Sequence, residues 1–200
     1  LRHIEDIIGL SEGVSALAAM SLMITNRGPI FLADTHVQVN PDAQAIASIA
    51  IACATQVQRF GITPKIAMVS HSDFGEHDTP SSLKMRQATA IVRARLPLLE
   101  IDGEMQADSA LIQAIRDRHL PSSTLKGEAN VLVMGDLASA NLAYHMVKVF
   151  GDALPVGPIL ICTARPAHVL TGSVTSRGVV HMTALAAAGE TVAAVGSRPW

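Results

Sequence analysis

Acidic residues follow one another closely near the middle of the chain. Asp102 and Glu104 come directly after apolar residues that end at Ile101, and Asp108 stands four residues further on. Neighbouring carboxylates can take different pKa values and divide proton transfer between them, so the three could form an acid–base set. Alternatively, Asp108 opens a helix, where its charge suits the helix dipole. Asp102 and Glu104 directly follow a predicted strand, and the ends of strands in an open α/β sheet form its ligand crevice, so a role in a site stays open for them.

A lysine and an asparagine precede the next apolar run. Lys126 lies beside Gly127, and Asn130 stands directly before Val131. A lysine ammonium suits a phosphate or a carboxylate, although an ordinary surface lysine explains the pattern equally well. The chain contains neither G-x-x-x-x-G-K-[ST] nor G-x-G-x-x-G. The sequence therefore does not indicate a P-loop or a Rossmann fingerprint.

Hydroxyls, glycines and one arginine are concentrated before the last predicted helix. Backbone N–H groups at a helix N-terminus, with an arginine nearby, form a plausible anion site. Capping of the helix by Ser173 or Thr175 explains part of the pattern without any ligand. The candidates for contact with an anion or a cofactor are Thr171, Ser173, Thr175, Ser176 and Arg177.

The segment from His71 to Asp78 contains two histidines among carboxylates. Such side chains could hold a divalent ion. However, the segment is short and polar, and no second group of ligands is evident. We therefore expect a mobile loop beside a crevice, and no metal site.

Apolar strand patterns alternate with amphipathic helix patterns along the chain. This alternation predicts an α/β fold with a mainly parallel sheet, preceded by one hairpin across residues 26–29. We expect strands over 15–25, 30–33, 65–70, 98–101, 131–134 and 159–162. We expect helices from Asn40-Pro41 to Phe60, from Ser81 or Ser82 to Leu96, and over 107–118, 138–150 and 175–188, followed by a tail at 189–200.

Composition limits the classes of function. A formal net charge of -2 and 3% aromatic residues argue against nucleic acid and against an anionic membrane surface. No apolar run reaches the roughly 18 residues of a membrane span. Cys53 and Cys162 form no C-x-x-C pair, so we expect buried, reduced thiols in a cytoplasmic protein. The chain begins with Leu1 and shows no signal peptide, so we expect a piece of a longer polypeptide.

Several segments, in order, resemble the phosphate acetyltransferase (phosphotransacetylase) family. They are Phe31 to Thr35, Arg59 to Lys65, Ser70-His71-Ser72, Asp102 to Asp108, Gly157 to Leu160 and Arg165 to His168. Three others resemble the phosphotransacetylase-like module at the C-terminus of bacterial NADP-dependent malic enzymes. These are Leu83 to Arg86, Leu125 to Asn130 and Val180 to Leu185.

The resemblance covers residues 1–188 and implies a three-layer α/β/α fold. The chain would be the second subdomain of the module plus its C-terminal return, with the N-terminal part absent. The family also implies CoA in the cleft between two subdomains and dimerisation through the second subdomain. On this basis we expect Ser70, Ser72, Lys126 and the hydroxyls and arginine of 171–177 to contact CoA, acetyl-CoA or phosphate. Asp102, Glu104, Gln106 and Asn130 would shape the cleft.

One departure from the family bears on activity. In active members, the segment after the position of Pro166 carries a Ser-Arg pair and, six residues past the arginine, an aspartate that acts as the general base. Counted without gaps, this chain has Thr171 and Gly172 at the pair and Gly178 at the aspartate. Loss of a general base alone costs about 10²–10⁴-fold in rate.

Two functions follow from the resemblance. The first is an acetyl-CoA-sensing regulatory and oligomerisation module of a malic enzyme, which converts malate to pyruvate with NADP and a divalent metal bound in an upstream domain. The alternative is an active phosphate acetyltransferase, in which Ser173, Ser176 and Arg177 replace the missing residues. We assign no catalytic residue, and the expected partners are acetyl-CoA and further copies of the chain.

Overall fold

A computed structural model describes residues 1–170, 172 and 174–195 of the chain. Within this part, six strands form one mixed sheet, and seven helices accompany them. The strands are β1 (Ala18–Thr25), β2 (Gly28–Ala33), β3 (Ile66–Val69), β4 (Ile101–Met105), β5 (Val131–Val133) and β6 (Leu154–Ile161). The helices are α1 (Arg2–Ile7), α2 (Ala43–Arg59), α3 (Pro80–Arg95), α4 (Ala107–Leu111), α5 (Gln113–His119), α6 (Leu137–Phe150) and α7 (Ser176–Val195).

The strand order is β4-β3-β5-β2-β1-β6. β4, β3, β5 and β2 pair in parallel, whereas β1 is antiparallel to both of its neighbours, β2 and β6. Five strands thus run in one direction and β1 runs against them, which confirms a mainly parallel sheet. The predicted hairpin is β1–β2, closed where Thr25 pairs with Gly28.

Helices cover both faces of the sheet, so the fold has three layers. On one face, α2, α3 and α7 bury a cluster that includes Ile46, Val92 and Met182. On the other face, α4 and α6 pack over a second cluster, with Ala110 and Ala140 fully buried. Small alanines let the helices approach the sheet closely, and the strands between the two clusters are buried on both sides. The predicted α/β/α architecture is confirmed.

Several predicted boundaries are wrong. The strand expected at Leu98–Ile101 begins only at Ile101, because Pro97 and Leu98 form an exposed turn; Asp102 and Glu104 therefore lie within β4 and not after it. Asp42 caps α2 in place of Asn40, and Thr79 caps α3 in place of Ser81 or Ser82.

The helix expected over 107–118 is split at Ile112, whose backbone is extended. Neither glycine nor proline marks this break. The Arg116 guanidinium donates to the carbonyls of Ser109 and Ala110, and so satisfies acceptors that the end of α4 leaves unpaired. The C-terminal helix also differs from the prediction, because α7 continues past Ala188 to Val195; residues 196–200 lie outside the described part.

Candidate functional site

The carboxyl ends of the parallel strands meet at one edge of the sheet, where α/β proteins usually bind ligands. Ser70 and Ser72 follow β3 at this edge, and Gln106 follows β4. The Ser70 N–H donates to the carbonyl of Met105 at 2.9 Å. These three predicted residues therefore belong to one region, and Glu104, near the end of β4, lies beneath them.

Glu104 is fully buried and organises this edge. Its Oε1 accepts hydrogen bonds from the Ser72 hydroxyl at 3.0 Å and from the Gly75 N–H at 2.9 Å. Arg86 of α3 donates through Nε to Oε2 and through Nη2 to Oε1, both at 3.0 Å. Burial would by itself raise the pKa of Glu104, but the hydrogen bonds from Arg86, Gly75 and Ser72 outweigh it and lower the pKa. Glu104 is thus an ionised anchor, and its oxygens are already occupied.

The segment from His71 to Asp78 is tied down at several further points. Asp73 accepts a hydrogen bond from the Gln106 N–H at 2.8 Å, and the Phe74 N–H donates to the Glu104 carbonyl at 2.9 Å. Asp78 contacts Arg86 at 3.1 Å. These contacts hold the segment at both its middle and its end, so it is an anchored loop. Among the described residues, no three His, Cys, Asp or Glu side chains are grouped to hold a metal ion.

Asp102 lies near the start of β4 and forms its hydrogen bonds at the opposite edge of the sheet. This is the amino edge, where the parallel strands begin. Its Oδ2 accepts from the Ser123 hydroxyl at 2.8 Å and from the Thr124 N–H at 2.7 Å. Arg93 of α3 donates to Oδ1. The side chain is 2% exposed. Asp102 therefore holds the segment that leads into β5, and it shares no hydrogen-bond partner with Glu104.

Gly103 separates the two carboxylates and contacts the neighbouring strand closely. Its φ is +139°, and a Cβ placed there would stand 2.7 Å from the carbonyl oxygen of Met68 in β3. No other residue fits without displacing the backbone of β3. Close packing against β3 thus requires the glycine of the Asp-Gly-Glu sequence, and the two carboxylates beside it anchor different segments.

Lys126 and Asn130 also lie at the amino edge, away from Ser70 and Ser72. Asn130 Oδ1 accepts from the Lys65 N–H at 2.8 Å, and its Nδ2 donates to the Thr63 carbonyl at 2.8 Å. The Lys126 backbone is bound by Glu100 at 2.5 Å and by the Lys65 ammonium at 2.5 Å. The structure therefore divides the predicted cleft residues between two edges of the sheet.

Arg116, which the sequence patterns did not single out, fixes the segment around Lys126. It is fully buried, and its guanidinium donates to the carbonyls of Leu125 and Gly127 as well as to those at the end of α4. Arg86 and Arg93 were also missed. Their spacing of seven residues on one helix was the available pattern, since residues seven apart lie on the same helical face.

Asp34, directly after β2, is another missed residue of the carboxyl edge. The side chain is 3% exposed and accepts from the N–H groups of Ala19, His36, Val37 and Gln38 at 2.9–3.1 Å. Burial raises the pKa of Asp34, and these donors offset that effect only in part. The buried carboxylate sets the turn that leads from β2 toward α2.

The C-terminal candidates lie at the start of α7. The Thr175 hydroxyl accepts from the Gly178 N–H at 3.1 Å, so the predicted capping by Thr175 is confirmed. Thr175, Ser176 and Arg177 are exposed. Thr171 and Ser173 lie outside the described residues. Whether these side chains contact an anion stays a prediction.

The chain matches a protein family and several known proteins. The family described as phosphate acetyl/butaryl transferase matches residues 1–187. The NAD-dependent malic enzyme of Rhizobium meliloti is 50% identical over 93% of this chain, and the NADP-dependent malic enzyme of Escherichia coli is 45% identical over 92%. This chain spans only 24% of the length of each malic enzyme.

A solved phosphotransacetylase from Streptococcus pyogenes has the same fold as this chain. It superimposes with a TM-score of 0.90 at 32% identity, over 94% of this chain and 57% of its own. The three-layer architecture, the sequence segments that resemble phosphotransacetylases and the family match agree with one another. The chain belongs to the phosphate acetyl/butaryl transferase family.

Proposed function

We propose that this chain is an acetyl-CoA-sensing module that regulates and assembles an NADP-dependent malic enzyme. The malic enzyme domain, with its NADP and divalent metal, would lie upstream in the same polypeptide. Two matched malic enzymes, of which the chain corresponds to about a quarter, support this context. A cytoplasmic location accords with the two buried, unpaired cysteines.

The observation that carries the regulatory role is the pair of glycines at Gly172 and Gly178. The resemblance places the phosphate-binding arginine and the basic aspartate of active members at these positions. At Gly178 a Cβ would also stand 2.8 Å from the Val174 side chain, so an aspartate would not fit without a local shift. A module that keeps the scaffold but lacks this pair is suited to binding a thioester without turning it over.

The test of sensing uses the full-length protein. Acetyl-CoA is expected to bind in calorimetry and to change malate oxidation, because an effector acts only by binding two states unequally. The Arg177→Glu variant is expected to bind acetyl-CoA at least about tenfold more weakly, since a charged hydrogen bond contributes roughly 1.5–3 kcal/mol. Arg118→Glu, at an exposed position of α5, is the matched control. An absence of acetyl-CoA binding to the wild type would contradict the proposal.

The alternative is an active phosphate acetyltransferase, which the likeness to a phosphotransacetylase supports. In that case Arg177, Ser173 and Ser176 would replace the missing pair. Formation of acetyl-CoA from acetyl phosphate and CoA decides between the two roles. We expect the full-length protein to match the buffer blank, and a rate above it that Arg177→Glu abolishes would favour the alternative.

Self-association is the second part of the proposal, and α6 is the surface that suits it. Leu142, Met146, Val149 and Phe150 stand at helical spacing and are 50–85% exposed. Lys148 is the one charged residue in this helix. An apolar patch with so little charge can contact its own copy across a twofold axis without like-charge repulsion.

Light scattering of the wild type and of Phe150→Glu tests this surface. We expect the variant to shift toward the monomer, because a charge placed in an apolar contact must be desolvated. Leu98→Glu, at an exposed leucine in the turn before β4, is the control and should keep the wild-type mass. An unchanged mass in Phe150→Glu would rule out α6 as the contact.

A further inference from the structure

One histidine lies within the exposed apolar face of α6. Leu142, Met146 and Val149 are 50–71% exposed, and His145, which is also exposed, stands among them. The four residues occupy positions i, i+3, i+4 and i+7, which share one side of a helix. The surface that suits self-association therefore contains a side chain whose charge changes between about pH 5 and pH 8.

His145 belongs to a cluster of three rings. The Tyr144 ring lies edge-on to the His145 ring at a centroid distance of 5.0 Å, and edge-on to the His36 ring at 5.8 Å. Partial burial lowers the pKa of His36; the Asp34 carboxylate acts in the opposite direction, and His145 adds to the lowering. The two imidazoles are thus close enough to repel each other when both are protonated.

The His36 ring is held in place from the side of the sheet. Its Nδ1 pairs with the Thr35 hydroxyl at 2.8 Å, and that buried hydroxyl pairs with the Ser21 hydroxyl at 2.9 Å. The His36 N–H donates to Asp34 Oδ1 at 3.0 Å. The ring cannot turn away from α6 without breaking its bond to Thr35, so a charge on His36 stays beside the helix.

The other ionisable groups around His145 do not balance a positive charge. Asp34 is buried, and its oxygens accept from four backbone N–H groups. Lys148 adds a second cation to α6, and burial raises the pKa of Tyr144, which therefore stays neutral near pH 7. β1 and β2, against which α6 packs, contain no charged residue. The carboxylates nearest in sequence lie beyond the two ends of α6, at Asp136 and Asp152.

We propose that protonation of His145 opens the α6 contact between two copies, so that assembly depends on pH near neutrality. This inference rests on the self-association proposed above. A contact across a twofold axis brings His145 of both copies into one apolar surface, where an imidazolium must be desolvated and meets its like charge. Association therefore favours the neutral imidazole and releases protons. The contact is strong at higher pH and weakens as the pH falls through the titration range of histidine.

Sedimentation of the full-length protein at about pH 7.5 and at about pH 5.5 tests this dependence. Phe150→Glu, which lacks the contact, gives the baseline mass at each pH. We expect the wild type to exceed this baseline at the higher pH. Its dissociation constant should be about 100-fold larger at the lower pH, since two imidazoles per contact must each release a proton.

Three histidine variants separate charge from shape. His145→Gln stays neutral and should keep the contact at both pH values, which also shows that the lower pH does not simply unfold the chain. His145→Arg is always charged and should stay at the baseline mass at both. His119→Gln, at an exposed position of α5, is the control and should keep the dependence of the wild type.

The outcomes distinguish this inference from the self-association on which it rests. A wild type above the baseline, with the same dissociation constant at both pH values, overturns the role of His145 and leaves the α6 contact intact. The role is also overturned if His145→Gln dissociates at the lower pH as the wild type does. A wild type that matches Phe150→Glu at the higher pH overturns self-association through α6, and this inference with it.

Discussion

Asp102 and Glu104 stand two residues apart in one strand, yet they stabilise different parts of the molecule. Each carboxylate is buried, and each pairs with an arginine of α3, Arg93 or Arg86. Asp102 binds the segment before β5 at the amino edge, whereas Glu104 binds the loop after β3 at the carboxyl edge. Two carboxylates with the spacing of an acid–base pair can thus be separate structural anchors, because their hydrogen-bond partners lie at opposite edges of the sheet.

Gly103→Ala should have the largest effect, since it disturbs both anchors together. The added Cβ would stand 2.7 Å from the Met68 carbonyl oxygen, and the backbone conformation is unfavourable for alanine. We expect a loss of about 3 kcal/mol or more in the free energy of unfolding. Urea denaturation measures it. Gly172→Ala, at a position with open space around the Cβ, is the control, and equal losses in the two variants would contradict this account.

Glu104→Gln should cause the second largest loss in the free energy of unfolding, and its effect should be confined to the carboxyl edge. The amide nitrogen would face N–H donors of Arg86 or Gly75 and could not accept from them. The neutral side chain would also leave the Arg86 guanidinium without its buried counter-charge. We expect a loss of about 2–4 kcal/mol. Hydrogen exchange should become faster in residues 71–79 and stay unchanged in residues 120–126. Equal acceleration of both segments would show that the anchors are not separate.

Asp102→Asn should give the reverse pattern of hydrogen exchange, with a smaller loss in the free energy of unfolding. Arg93 is 45% exposed against 37% for Arg86, and only one of its nitrogens contacts the carboxylate, so solvent can replace more of this pair. We expect about 1–3 kcal/mol. Exchange should become faster in residues 120–126, and protection of residues 71–79 should remain. A larger loss than in Glu104→Gln would reverse the proposed ranking.

The pH dependence of stability should depend on Glu104. Its pKa is lower in the folded chain than the ordinary value of 4.5, so the unfolded chain binds the proton more readily. The stabilisation is therefore present above that value, and it is lost as the pH falls through the lower folded pKa. Urea midpoints between about pH 3 and 7 should fall more steeply in the wild type than in Glu104→Gln. Parallel curves would contradict the assignment.

Arg93→Lys should have the smallest effect of the set. A lysine keeps the charge at a partly exposed position, and the hydrogen bonds of Asp102 to Ser123 and Thr124 remain. We expect at most about 1 kcal/mol. Arg86→Lys, which loses a bidentate contact, should cost more. A thermal melt of the two variants side by side compares them, and a larger effect in Arg93→Lys would contradict the difference between the anchors.

Local patterns predicted the parts of the fold that depend on local physics. The β1–β2 hairpin followed from the turn residues, and α6, predicted over 138–150, begins at Leu137 after Asp136, which caps it. β4 was misplaced because Asp, Gly and Glu have low strand propensity, and only their partners on α3 and in the adjoining loops make burial favourable. The break at Ile112 was missed because no glycine or proline marks it, and the contact of the Arg116 guanidinium with the carbonyls at the end of α4 is not visible in residue type or spacing.

The candidate site shows the same division. Ser70, Ser72, Glu104 and Gln106 were expected together and lie together at the carboxyl edge. Lys126 and Asn130 were grouped with them on the basis of the family resemblance, yet they precede β5 and so fall at the amino edge.

The sequence by itself determined the α/β class, most of the helices and the family, because periodicity, capping and ordered motifs are properties of neighbouring residues. The resemblance further predicts that Gly172 and Gly178 stand where active members carry a charged pair, and this stays a prediction. Only the tertiary structure decided which edge each polar residue occupies and which arginine each carboxylate binds. Strand order and helix packing set those distances, and they depend on contacts between residues far apart in the chain.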